Sequence, residues 1–374
     1  MSVGITTLLI LVVLIFLIGM GTPISFCLGF VSLIGFAGYM DWNTLYQIAE
    51  IAADTGTNLF MITIPLFVLM AEILSFSGVG NDLFTAAHRW LSWLPGGLAI
   101  SSIGTCTGFA AVSGSSPATA ATVGIVAIPE MIKRGYNRQL AVGSIAAGGT
   151  LGILIPPSIA MIVYGIITEV SIGKLFIAGV IPGIILALIL SSAIALAVKI
   201  RPSLAPPIQA VTWAERFSSL KKIWPFIVLS VSVIGSIYAG VATPTESAAI
   251  GVTFSIIIAL IYRRLSLKEL HAALKRSASV SAMIIFLVIG GSVLAFVLSF
   301  LNIPQTITNM VTSLGVSRWW IMIFVNVVLL ILGCLMDPMG VLVISLPIIF
   351  PIVTNLGFDP IWFGIIVTVN VEIG

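Results

Sequence analysis

Apolar residues in this chain fall in long runs with short polar punctuation, and the runs set the expected elements. Segments long enough to cross a bilayer as helix lie at about 3–20, 24–40, 58–77, 94–112, 175–198, 223–241, 246–262, 279–300 and 319–335. Shorter, interrupted apolar pieces lie at about 117–132, 139–155, 341–355 and 361–374. The stretch 81–93, NDLFTAAHRWLSW, mixes charge with Trp90 and Trp93 and reads as an amphipathic helix lying along the membrane interface. Residues 199–222 are the only long polar stretch and read as a linker. The first run starts almost at Met1, lacks a basic leader and is followed by no small-residue cleavage site, so it reads as a retained span. The pattern predicts an all-α integral membrane protein, a polytopic helical bundle.

Residues 113–158 break this pattern twice. Ser113, Gly114, Ser115, Ser116 and Pro117 interrupt one helical run, and Gly148, Gly149, Gly152, Pro156 and Pro157 interrupt the next. Proline removes a backbone donor and clashes with the preceding turn, so helix does not run smoothly through either place. Broken backbone at membrane depth survives only where protein or a water-filled cavity surrounds it. Its carbonyls and nearby hydroxyls are hard oxygen ligands suited to a small cation, while half-helix N-termini favour an anion. That combination is expected of a transport site.

Composition narrows the class. Of 374 residues, 59% are hydrophobic and 8% charged, where a soluble domain carries about 25% charged residues. The net charge of +3 does not point to nucleic acid; where the charges fall matters more. Cys27, Cys106 and Cys334 lie far apart in apolar runs and read as small buried hydrophobes. There is no GxxxxGK phosphate loop, no HExxH and no nucleophile–base or metal constellation, so no enzyme is expected.

The two halves of the chain repeat. Thr22-Pro23 recurs as Thr243-Pro244 and Ser116-Pro117 as Asp337-Pro338 at an offset of 221. Pro129 recurs as Pro351, Gly152 as Gly374, and Gly135-Tyr136 as Gly357-Phe358 at an offset of 222. The loop at 41–54 has Asp41, Glu50 and Asp54 and no basic residue, whereas 263–276 has Arg263, Arg264, Lys268, Lys275 and Arg276. Conversely, Lys133, Arg134 and Arg138 face a counterpart near 354–359 that carries only Asp359. By the positive-inside rule, matching loops lie on opposite sides, so the repeat is inverted. The expected organisation is a first inverted repeat at 1–198, a cytoplasmic linker at 199–222 and a second repeat at 223–374, with the N-terminus periplasmic.

Each repeat then contributes a re-entrant hairpin and a broken helix. In the first half, Ser113 and Ser115 offer hydroxyls, and Gly152, Ile155 and Pro157 offer carbonyls without helical partners, an oxygen set that suits Na⁺ and not a transition metal. Gly143, Gly148 and Gly149 read as packing positions. In the second half, Asp337 is an acid in a strongly apolar region and a functional candidate by default. By repeat logic a second proline pair falls about four positions beyond Gly374, so the second site is expected to be incomplete in this sequence. Glu246, three residues after Thr243, fits a capping box, and Glu130 an ion pair with Lys133 or Arg134. Glu72 faces a partner or an inner cavity; Glu372 is a ligand or a structural neighbour. Most tryptophans fall at expected interfaces.

The SGSSPATAATVG turn, the IPEMIKRGY segment, the GGTLGILIPPS break and the YAGVATPTESAAIG stretch together resemble the large, DctM-like membrane subunit of tripartite ATP-independent periplasmic (TRAP) transporters, which include sialic acid permeases. The resemblance covers essentially the whole chain. It implies an elevator-type importer of organic acids such as C4-dicarboxylates or sialic acid in the bacterial inner membrane, with Na⁺ as coupling ion and no other cofactor. It also implies a small four-helix, DctQ-like membrane subunit and a periplasmic substrate-binding protein. Sodium would be held at Ser113, Ser115, Gly152, Ile155 and Pro157, and again at Asp337 and Gly374. The family often carries Asn where this chain has Ser115. Candidates for substrate contact are Ser116, Thr119 and Pro156. The rival readings are a binding-protein-independent Na⁺/anion symporter, a non-transporting scaffold and the membrane part of an ATP-driven importer.

Overall fold

The computed structural model describes residues 3–40, 44–207, 211–313 and 315–374. Asp41 and Trp42, which entered the charge and interface readings, lie outside the described residues. Among the described residues the regular structure is helical: α1 (Val3–Gly19), α2 (Ile24–Tyr39), α3 (Tyr46–Thr57), α4 (Thr63–Ser77), α5 (Val79–Leu91), α6 (Gly97–Ser113), α7 (Ser116–Lys133), α8 (Arg138–Gly149) and α9 (Leu151–Leu154). These are followed by α10 (Ile159–Thr168), α11 (Ile172–Ile200), α12 (Trp213–Tyr238), α13 (Pro244–Ile261), α14 (Leu267–Phe300), α15 (Ile303–Ser313), α16 (Arg318–Leu335), α17 (Pro338–Asn355) and α18 (Pro360–Ile373). Eight helical stretches among the described residues are long and apolar enough to span a membrane. At about 1.5 Å per residue, the 16 residues of α2 and the 17 of α6 fall just short of that length.

The elements of the first half recur in the second in the same order. α7 and α17 are each 18 residues long, each with a proline inside, Pro129 in one and Pro351 in the other. Each ends before a left-handed glycine, Gly135 with φ +84° and Gly357 with φ +78°. The next helix in each half is capped by a side chain that accepts two backbone N–H groups, Asn137 for α8 and Asp359 for α18. Both caps satisfy donors that a helix start leaves open.

Two charged stretches differ from their sequence reading. The acidic 41–54 segment is helical from Tyr46, because Ile48 and Ile51, with Leu45 ahead of them, pack against a core of Phe36, Val293 and Val297. The polar 199–222 segment is irregular only in part. α11 runs through Ile200, and α12 starts at Trp213 behind a capping box in which Thr212 Oγ1 accepts from Glu215 N–H and Glu215 accepts from Thr212 N–H.

The chain forms two compact units. One holds residues 63–161 and 172–278, the other 1–62, 162–171 and 279–374. In the first, α4 packs along α13, with Thr63 Oγ1 2.6 Å from Thr245 Oγ1 at one end. At the other end Arg264 Nη1 donates to Ser77 O over 3.0 Å, a cation at a helix C-terminus where the dipole favours it. The Thr243–Glu246 capping box forms as expected. In the second unit, α2 packs on α14 through stacked Phe36 and Phe296, 5.8 Å between centroids. α16 and α18 are joined by Asn370 Nδ2 donating to Asn326 Oδ1 over 2.6 Å.

Apolar side chains are not all inside the protein. α11 presents Ile181, 68% exposed, and Leu188, 62% exposed, as a helix does when lipid is as apolar as leucine. Cys334 is exposed for the same reason, contrary to its reading as a buried hydrophobe, whereas Cys27 and Cys106 are buried.

Candidate functional site

The two breaks of the first half lie against each other within one unit. α6 ends at Gly114, whose backbone is left-handed at φ +60° and ψ 12°. Ser115 is extended, and α7 starts at Ser116 with no side-chain cap on its open N–H groups. In the other break α8 ends at Gly149, α9 is a single turn, and Ile155 turns extended ahead of a cis Pro156–Pro157 peptide. Ser158 Oγ donates to the carbonyl of Ile153, and Ile159 N–H crosses to Gly114 O over 3.1 Å. That bond ties the start of α10 to the turn between α6 and α7.

Glycine makes the crossing possible. A Cβ on Gly152 would lie 2.7 Å from Ser115 O and 2.8 Å from Ser116 Cα, backbone atoms that have no way to swing aside. A Cβ on Gly114 would lie 2.6 Å from Pro157 O. Of the five residues read as the first sodium site, the fold therefore brings Ser113, Ser115, Gly152 and Pro157 together. Ile155 lies in the same break and packs its side chain towards Gly183 of α11. Residues 151–160 are buried throughout.

The oxygens converge. Ser113 Oγ is 2.5 Å from Thr119 Oγ1 and 3.5 Å from Ser115 O, and both hydroxyl side chains are buried. Thr119, read as a substrate contact, is thus one turn into α7 and shares a hydrogen bond with Ser113. Ser116 Oγ is buried without a hydrogen-bond partner. A buried hydroxyl left in that state costs about 1–3 kcal/mol, which a ligand would recover. With no ionised side chain among residues 113–119 or 148–158, the ligating capacity is hydroxyl and carbonyl oxygen.

The flanking glycines divide. Gly148 faces Cys106 and Ile103, and Gly149 faces Ala120, as expected of packing positions. Gly143 corrects its reading: nothing lies within 4 Å of a Cβ built on it, and it lines an open groove with Ala193 and Ala197. Small size alone does not say which face of a helix a neighbour covers.

The counterpart in the second half is built differently. Asp337 is the N-cap of α17, and its Oδ2 accepts from Met339 N–H at 3.1 Å and Gly340 N–H at 3.2 Å. Its side chain is exposed. Gly374 packs on α16 against Leu330, Gly333 and Cys334. Asp337 thus spends its carboxylate on its own helix, whereas Gly374 sits against the α16 backbone. Glu130 makes its expected local pair, with Arg134 Nε 2.7 Å from Oε1.

Comparison with known proteins agrees with this architecture. The sequence pattern of the family described as "Tripartite ATP-independent periplasmic transporter, DctM component" matches residues 11–374. The C4-dicarboxylate TRAP transporter large permease protein DctM of Pseudomonas aeruginosa is 41% identical over 322 residues, covering 86% of this chain and 75% of its own. The protein of the same name from Vibrio cholerae is 37% identical over 389 residues, covering 96% and 84%. Other relatives are named for isethionate, the permease protein DctMQ of Oleidesulfovibrio alaskensis, and for ectoine, TeaC of Halomonas elongata, at 34% and 32% identity. The solved YdaH transporter of Alcanivorax borkumensis shares the fold, with a TM-score of 0.56 over 89% of this chain and 78% of that one at 13% identity. The breaks, the spans and the matched length together place this chain in the DctM component family of tripartite ATP-independent periplasmic transporters.

Proposed function

We propose that the chain is the large membrane subunit of a Na⁺-coupled importer of an organic acid, working with a small DctQ-like membrane subunit and a periplasmic substrate-binding protein. The observation that carries the reading is the crossing of the two first-half breaks, with Gly114 O holding Ile159 N–H and Gly152 seated on Ser115. Such crossings leave hydroxyls and carbonyls aimed at one place in an apolar setting, the arrangement by which secondary transporters hold a coupling ion. Ser113 and Ser115, with the carbonyls of Gly152, Ile155 and Pro157, would form the first Na⁺ site, and Asp337 and Gly374 would contribute to the second. Ser116, Thr119 and Pro156 are the proposed substrate contacts, the unpartnered Ser116 hydroxyl foremost.

Family membership supports the tripartite assembly. The relative named DctMQ, of which this chain covers 56%, supports a Q-type partner. Relatives named for C4-dicarboxylate, isethionate and ectoine leave a small acid or zwitterion as the cargo class. Inverted repeats at 1–198 and 223–374, joined by a cytoplasmic linker at 199–222, would move the broken helices as an elevator against the outer spans in the inner membrane.

The test is uptake into proteoliposomes holding this subunit and its small partner, with a labelled C4-dicarboxylate, a Na⁺ gradient and no ATP. Uptake that needs both Na⁺ and the binding protein supports the reading. Uptake indifferent to the binding protein replaces it with a simple symporter, and uptake that appears only with ATP removes the proposed energy source.

A further inference from the structure

A second place in the same unit has the chemistry of a binding site and lies apart from the breaks. α5 and α7 enclose a cleft of about 370 Å³. α5 lines it with Asn81, Thr85, His88 and Arg89, residues that share one helix face at spacings of three and four. From the α7 side come Val126, Glu130 and Arg134, again four apart. Phe84 adds an apolar wall. The cleft is therefore graded, apolar at Phe84 and Val126 and charged at Arg89 and Arg134.

Its lining has a net positive charge. Arg134 Nε is paired with Glu130 at 2.7 Å, so two arginines and one acid leave the lining a net charge of +1, and Lys133 and Arg138 nearby in the chain are exposed. His88 adds no charge. Arg134 Nη1 lies 3.2 Å from His88 Nε2, and because a guanidinium only donates, Nε2 accepts and the ring is neutral. Burial, then the nearby arginine, pushes His88 down to about 4. The other ring nitrogen and Ser92 Oγ, both without partners, border a separate small cavity with Tyr136, about the room of one water.

The setting is interfacial. α5 buries Leu83, Phe84 and Ala86, exposes Asn81 and leaves His88 and Arg89 half-buried. Trp93, 57% exposed, follows its end. Trp90 Nε1 donates to Arg216 O over 3.2 Å and Arg89 Nη1 to Glu215 O over 3.1 Å, so the start of α12 brings further basic residues to the same end. Tryptophan and arginine beside an apolar slot are the groups that meet a lipid where acyl chain gives way to phosphate.

We propose that the α5–α7 cleft is a binding site for an anionic phospholipid, its phosphate on Arg89 and Arg134 and the first acyl carbons against Phe84 and Val126. The lipid would bridge α5 to the end of α7, the helix that begins at the first break.

The test purifies the chain with its small partner and measures retained phosphatidylglycerol against phosphatidylcholine by native mass spectrometry, with thermal stability in parallel. About tenfold preference for phosphatidylglycerol is expected, because phosphatidylcholine sets a choline cation beside the arginines, and it should be lost in Arg89→Gln and kept in Arg318→Gln, a basic residue of the other unit. Thr85→Phe, which fills the cleft and leaves its charge alone, is expected to lose the same preference. Equal retention of both lipids, or a preference that survives Arg89→Gln and Thr85→Phe in folded protein, overturns the proposal. A rise in thermal stability with inorganic phosphate equal to that with phosphatidylglycerol also overturns it, in favour of a soluble phosphate ligand.

Discussion

α7 and α17 have the same length and the same internal proline, yet they begin in opposite ways. α17 starts on Asp337, whose carboxylate takes two open N–H groups of its own helix. α7 starts on Ser115, whose hydroxyl caps nothing. Its turn is held from outside, by Ile159 N–H on Gly114 O and by Gly152 lying against the Ser115–Ser116 backbone. A helix start that caps itself is stable on local terms but spends its acceptor. One held by a distant segment keeps its oxygens for a ligand, at the cost of tolerating no side chain at the crossing. In this protein the uncharged break keeps its oxygens unspent, and the charged one spends its carboxylate on a helix cap.

Substitutions can break or sharpen that contrast. Gly152→Ala is expected to have the largest effect. Its Cβ meets backbone, so the crossing must open, destabilising by about 1–3 kcal/mol and abolishing Na⁺-coupled uptake. Wild-type uptake with an unchanged melting temperature would show that the crossing yields, and the contrast would fail. Ser113→Ala comes next. It strips a buried hydroxyl from Thr119, for about 1–3 kcal/mol, and raises the Na⁺ concentration needed for half-maximal uptake. Thr119→Val should reproduce the stability loss, and a cation role for Ser113 predicts that Ser113→Ala alone shifts the Na⁺ dependence further.

The cap made by Asp337 and its proposed cation role can be separated by chemistry. Asparagine still caps, so Asp337→Asn should keep stability within about 0.5 kcal/mol, while Asp337→Ala loses about 1 kcal/mol. If Asn leaves uptake and Na⁺ dependence unchanged, the residue is a cap and the second cation site needs other ligands.

His88 supplies a pH test outside the breaks. Its folded value of about 4 lies below the ordinary 6.5, so the unfolded chain takes up the proton first. Its stabilising contribution is complete above pH 6.5 and lost as pH falls towards 4. The melting temperature should fall across that window, and less so in His88→Gln. The smallest effect is expected for Gly143→Ala, which faces open space and should change stability by less than about 0.5 kcal/mol.

Much of this was legible because the determining contacts are local. The Thr243–Glu246 box, the Glu130–Arg134 pair and the amphipathic face of α5 follow from spacings of three and four, which one helix fixes by itself. The two interruptions were legible because proline and glycine act on their own backbone. The Thr119–Ser113 hydrogen bond was not legible, because the two hydroxyls meet only after the chain reverses at Gly114. Gly143 was misread because helical spacing does not say which faces have neighbours. Asp337 was read as an acid in an apolar region and a functional candidate, and its cap was not foreseen, although Asp before Pro is also how a helix begins.

By itself the sequence determined the helical membrane class and the two places where helix must stop, since each depends on composition or on neighbours along the chain. Only the tertiary structure decided that Gly152 lies on Ser115 and that Ile159 closes on Gly114, and with them which oxygens share one site. Those partners are more than 35 residues apart, and what selects them is the path of the returning chain and the room a missing Cβ leaves.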